Sequence, residues 1–161
     1  MTSVSPKIKP VVALEVDNAN ASKRSWLSRL KLDHFRNYQQ ADLTIHAGQL
    51  VILGDNGAGK TNLLEAVSLL APGRGMRRAK TEHLAYRASG FETTSGIADN
   101  DDADRLDWAV AATLENEDGT VQIGTGVPQA AKQGNRIMRL EGVTVSQADL
   151  GSRLAVSWLT P

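Results

Sequence analysis

The run Gly54-Asp55-Asn56-Gly57-Ala58-Gly59-Lys60-Thr61 constrains this chain more than any other feature. It fits the spacing G-x-x-x-x-G-K-S/T, a glycine loop that wraps phosphate. Glycines adopt backbone conformations closed to other residues, so successive N–H groups can turn inward toward phosphate oxygens. The flanks fit as well. Gln49 to Leu53 is a short apolar, β-branched run that reads as a fully buried strand. Lys60 to Ala71 reads as a helix, with Leu63, Val67 and Leu70 at i, i+4, i+7 and Leu64 and Ala71 beside them. Pro72-Gly73 ends it. A strand, a glycine loop and a helix place the positive helix N-terminus on the same site. Lys60 would reach the β- and γ-phosphates, and the Thr61 hydroxyl would ligate Mg²⁺. The fold class expected is α/β, of the P-loop NTPase type.

Two strand-like segments, Trp26 to Phe35 and Ala41 to Ile45, precede the loop, with His46-Ala47-Gly48 as a turn. That order suits an ABC-type head, in which an antiparallel β subdomain comes before the nucleotide loop. Residues 1–23 show little periodicity and read as a loose extension, leaving 24–161 as the folded unit. From Tyr86 to Asp107 the chain turns polar and acidic, as a loop does. The remainder reads as β structure: Leu106 to Leu114, a turn at Asn116 to Gly119, Thr120 to Thr125, and a hairpin of Arg136 to Leu140 with Gly142 to Val145. Ser146 to Leu150 reads as one helical turn and Leu154 to Leu159 as a buried strand.

Composition narrows the class by exclusion. No apolar run reaches the 18 residues of a membrane span, and no secretory leader is legible, so a soluble cytoplasmic chain is expected. Without cysteine there is no disulfide, thiolate or Cys-based zinc chemistry, and His34, His46 and His83 lack ligand spacing. The 18 Lys+Arg balance 18 Asp+Glu, yet the charges are segregated. Arg74, Arg77, Arg78, Lys80 and Arg87 cluster against Glu82, whereas Asp99, Asp101, Asp102, Asp104 and Asp107 cluster against Arg105. A local basic segment can bind a polyanion although the whole chain is neutral.

Three blocks in order carry a family resemblance: Phe35-Arg36-Asn37-Tyr38, then Gly54 through Thr61 continuing as Asn62-Leu63-Leu64-Glu65-Ala66, then Leu70-Ala71-Pro72-Gly73-Arg74-Gly75-Met76-Arg77-Arg78-Ala79. Together they closely resemble the N-terminal part of the RecF family, within the ABC/SMC-like ATPases, over about Leu27 to Pro161. The resemblance implies lobe I of an ATPase head. It implies an ATP- and Mg²⁺-dependent DNA-binding protein at gapped DNA, acting in recombinational repair and replication with RecO- and RecR-type partners. It further implies a homodimer that sandwiches ATP when full length. It adds Asn62 to the loop's nucleotide contacts and puts Arg36 near the adenosine end, with a plain β-turn role as the alternative.

The family's signature motif, Walker B strand and lobe II would all lie beyond Pro161, so the resemblance is to lobe I alone. Ala109 to Leu114 followed by Glu115 is the nearest internal Walker B candidate, and an exposed hairpin strand fits it better. ATP binding without turnover is expected of these 161 residues. A small P-loop kinase or nucleotidase is the competing reading; it needs an acidic Mg²⁺ ligand on a buried strand. For Arg74, Arg77, Arg78 and Lys80 two roles stand: capping the preceding helix, or contacting DNA phosphates. Trp26, Trp108 and Trp158 read as core rather than base-stacking platforms.

Overall fold

In the computed structural model of the chain, the described residues are 9–11, 25–46, 50–87, 107–129 and 135–158. Ten-residue β1 (Trp26–Phe35) turns at Arg36-Asn37 into β2 (Tyr38–Thr44). After β3 (Val51–Leu53) and the glycine loop comes α1 (Lys60–Leu69). A 3₁₀ turn at Thr81–His83 precedes β4 (Trp108–Asn116), β5 (Gly119–Val127), β6 (Ile137–Leu140) and β7 (Val143–Val145), and α2 (Gln147–Gly151) follows. Six strands form one antiparallel sheet in the order β2-β1-β4-β5-β6-β7. Its neighbouring strands follow one another along the chain except β1 and β4, which meet across the glycine loop and helix.

The period-two pattern decides which face of the sheet is covered. Leu30 and Leu32 of β1, Trp108, Val110 and Ala112 of β4, Ile123 and Val127 of β5, and Met138 of β6 all turn to one side and are buried. Against them lie Leu63, Ala66 and Leu69 of α1, with Leu150 of α2. Phe35 and Trp108 meet edge to face at 5.6 Å in this core. The expected hairpins hold: Asn116 pairs with Gly119 across the turn, and β6 pairs with β7 in register.

Four expectations need correction. The helix presents Glu65 and Ser68 to the interior along with Leu63, Ala66 and Leu69, while Leu64 is half exposed. Its apolar stripe is therefore rotated from the one the spacing indicated. Second, β3 is not buried: Val51 and Leu53 are each more than half exposed. It pairs with a short strand at Lys9–Val11 instead of joining the large sheet. Third, that pairing gives three residues of the supposedly loose extension a ladder partner. Fourth, residues 154–158 are irregular and join neither sheet, with Trp158 exposed; Leu159 lies outside the described residues. The acidic run Asp99 to Asp104 and the Ala47-Gly48 turn lie outside the described residues.

Candidate nucleotide site

Helix α1 begins without a side-chain cap. Gly59, its N-cap, sits in the left-handed region at φ 99°, ψ 4°, and no side chain accepts from the first turn. The amide of Asn62 bonds back to the Gly59 carbonyl, and the preceding amides of Lys60 and Thr61 have no intrahelical acceptor. Gly57 is also left-handed, at φ 83°, with open space where a side chain would be. Exposed amide donors, a positive helix end and a loop clear of side chains form an oxyanion cradle. The Lys60 ammonium lies inside it, donating to the carbonyls of Gly54 at 2.6 Å and Asp55 at 2.7 Å. Thr61 is exposed at the mouth. These donors, the long-stemmed cation and the hydroxyl fit a polyphosphate with its divalent ion: the amides and Lys60 would hold phosphate oxygens, and Thr61 would ligate Mg²⁺. In that arrangement Gly54, Asp55, Asn56, Gly57, Ala58 and Gly59 would supply backbone, and Lys60 and Thr61 side chains.

The β1–β2 turn supports this loop from beneath. A Cβ added at Gly59 would lie 2.5 Å from Asn37 Nδ2 and 2.6 Å from the Tyr38 hydroxyl, so only glycine fits there. Asn62, which the resemblance adds to the nucleotide contacts, donates its Nδ2 to Asn37 Oδ1 at 2.8 Å. Arg36, at φ 56°, points its guanidinium at Glu65, with Nε and Nη2 donating at 2.9 and 2.8 Å, and gives Nη1 to the His83 carbonyl. Both groups of the pair are largely buried, Glu65 at 2% and Arg36 at 21% side-chain exposure. The structure thus ties Arg36 to the helix, in keeping with the β-turn role.

Glu65 was not legible as functional, because its partner is 29 positions away on another element. It also draws in the basic loop. Arg77 Nη1 donates to Asn62 Oδ1 at 3.0 Å and reaches Glu65 Oε2 at 3.4 Å. Gly75 presses that loop onto α1: at φ 70°, a Cβ there would meet Leu69 Cδ2 at 2.8 Å. The Met76 amide donates to Ser68 Oγ at 2.9 Å. All four basic residues of the loop are exposed, and Arg77 differs in turning its guanidinium toward the phosphate-loop helix.

None of the cluster caps α1. Arg136, from the approach to β6, fills that role: it donates to the carbonyls of Leu69 at 2.7 Å, Ala71 at 3.2 Å and Gly73 at 2.6 Å, and to Thr125 Oγ1 at 2.7 Å. Burial draws its pKa down from the usual guanidinium value. A residue more than sixty positions on gives no local signal of this role. The Walker B candidate resolves as a hairpin arm. Residues Ala109 to Leu114 lie in β4, paired on both sides, with alternate side chains buried, so the strand is half covered rather than exposed. Trp108 is core; Trp158 is not. Among the described residues no His/Asp/Glu group of three or more could hold a metal.

Residues 26–161 match the model of the RecF/RecN/SMC N terminal domain. The chain is 45% identical over 136 residues to a DNA replication and repair protein RecF from Rhizobium johnstonii, covering 84% of this chain and 32% of that protein. The counterpart from Rhizobium leguminosarum bv. trifolii is 44% identical over the same share of each. The chain thus spans about a third of the curated relatives it matches. A solved structure of the recombination mediator protein RecF–ATP in the RecFOR pathway superposes with a TM-score of 0.62 at 24% identity, over 83% of this chain and 32% of that one. That likeness shows a shared fold, carried in this chain by the antiparallel sheet and the single long helix. With the family match spanning residues 26–161, the chain belongs to the RecF/RecN/SMC N-terminal domain family.

Proposed function

We propose that this chain is the ATP-binding lobe I of a RecF-type protein that acts on DNA in replication and recombinational repair. The observation that carries the reading is the phosphate cradle of Gly54 to Thr61, with its left-handed glycines, uncapped helix and inward Lys60. The relatives named DNA replication and repair protein RecF support the biological role, and the RecF–ATP structure supports the nucleotide. Mg²⁺ would be ligated by Thr61. DNA would be held through phosphate contacts from Arg74, Arg78 and Lys80, with Arg77 positioned behind them, and without base readout. RecO- and RecR-type mediators and an ATP-sandwiching second copy complete the assembly.

Nucleotide-dependent stabilisation tests this. At about 100 times its Kd, MgATP adds roughly 2.7 kcal/mol of stability. For a domain of this size that raises Tm by roughly 5–10 °C. The shift should vanish in Lys60→Ala. A chain whose melting ignores millimolar MgATP does not carry the proposed site.

A further inference from the structure

Tyr38 sits directly beneath the phosphate loop and has no place in the donor set described so far. The residue is 3% exposed, and its hydroxyl has no hydrogen-bond partner among the described residues. Its ring belongs to the hydrophobic core, a place any aromatic of that size could fill. The hydroxyl is what a phenylalanine would lack, and here it is desolvated without return. Burial pushes the phenol up to about 12, so it is a neutral O–H, a donor, throughout the working range.

Its position is specific. The hydroxyl lies 2.6 Å from where a Cβ on Gly59 would be, against the residue that caps α1 and sets the direction of the phosphate-facing amides. Beside it, the Asn37 side-chain oxygen already accepts from Asn62 Nδ2. Lys60 meanwhile satisfies the carbonyls of Gly54 and Asp55. An ammonium that turns to phosphate changes the bonding of this loop, and the Tyr38 hydroxyl is a buried, unpartnered donor packed against it at Gly59.

We propose that Tyr38 is a positioning residue of the nucleotide site, its hydroxyl donating to an acceptor oxygen of the nucleotide-engaged loop. This rests on the phosphate-loop reading above. The test is Tyr38→Phe in the 161-residue chain, titrated with a fluorescent ATP analogue beside the parent and Lys60→Ala, with Tm recorded for each without nucleotide. Tyr38→Phe should bind about three- to tenfold more weakly, the range of one net hydrogen bond. Its own Tm should be unchanged or higher, because the uncompensated hydroxyl is gone. Affinity equal to the parent, with Lys60→Ala impaired, would overturn the proposal and leave the site standing. Weaker binding together with a lower Tm would make Tyr38 a packing residue and overturn it as well. Unimpaired Lys60→Ala would remove the nucleotide reading and this inference with it.

Discussion

Replacing Glu65 by glutamine keeps its volume and removes its charge, which isolates the carboxylate's contribution to the fold. The carboxylate, only 2% exposed, lies on the helix face that carries Leu69, and takes two Arg36 bonds at 2.8 and 2.9 Å. Removing one member of a buried ion pair outright costs about 3–5 kcal/mol, because the remaining charge is stranded. The glutamine oxygen can still accept one of the two bonds, while its NH₂ opposes the other donor. Loss of one charge-assisted bond, at roughly 1.5–3 kcal/mol, is then the expected change. With a urea m-value of about 2 kcal/mol/M, the midpoint should fall by about 1 M with the slope unchanged. Arg77→Ala is the control: its side chain is 43% exposed and 3.4 Å from Glu65, so solvent screening should hold its cost below about 1 kcal/mol. Joint replacement of Arg36 and Glu65 by methionine should recover part of the loss, since no lone charge is left. A Glu65→Gln midpoint within about 0.2 M of the parent would refute the claim that this pair ties the β1–β2 turn to α1.

Other changes have equally definite expectations. Arg136→Met should destabilise by about 1–3 kcal/mol in the same assay, since it strands the Leu69 carbonyl, and lysine should not rescue a fork-shaped arrangement. Neutralising Arg74 and Arg78 together should reduce the salt slope of duplex DNA binding by roughly 0.9 for each phosphate no longer neutralised, read by fluorescence anisotropy. Adding Arg77 to that pair should change the slope little while lowering stability. Because Tyr38 is pushed up to about 12 in the folded chain, above its ordinary value, its contribution is complete below about pH 10. Stability should fall as pH rises from about 10 toward 12, and Tyr38→Phe should flatten that part of the profile.

Much of the fold was legible because its signals are local. The loop spacing, the β-branched run before it and the Pro72-Gly73 stop each act over a few residues, and the Asn116 to Gly119 turn fixes its own hairpin. The helix face was not legible, since burial of Glu65 depends on Arg36 arriving from another strand, and leucine spacing carries no trace of that. Arg136 leaves no local signal for the same reason: a helix end with no basic residue in its last turn takes a guanidinium from the distant segment that leads into β6. Leu154 to Leu159 has the apolar content of a strand, but apolar content does not specify a pairing partner, and residues 154–158 join neither sheet. In the site, Lys60 and the glycines were readable from chemistry. That Arg77 alone of the loop's arginines bonds to α1 depended on how Gly75 seats the loop on that helix.

The central claim is that the cradle at Gly54 to Thr61 holds nucleoside triphosphate through Lys60 and the first amides of α1. Isothermal titration of MgATP into the parent chain and into Lys60→Ala measures it most directly. The parent should bind one equivalent saturably, and the variant should bind at least about tenfold more weakly, as removal of a charge-assisted bond of roughly 1.5–3 kcal/mol requires. Equal affinity in the two proteins, or no saturable binding in either, would contradict it.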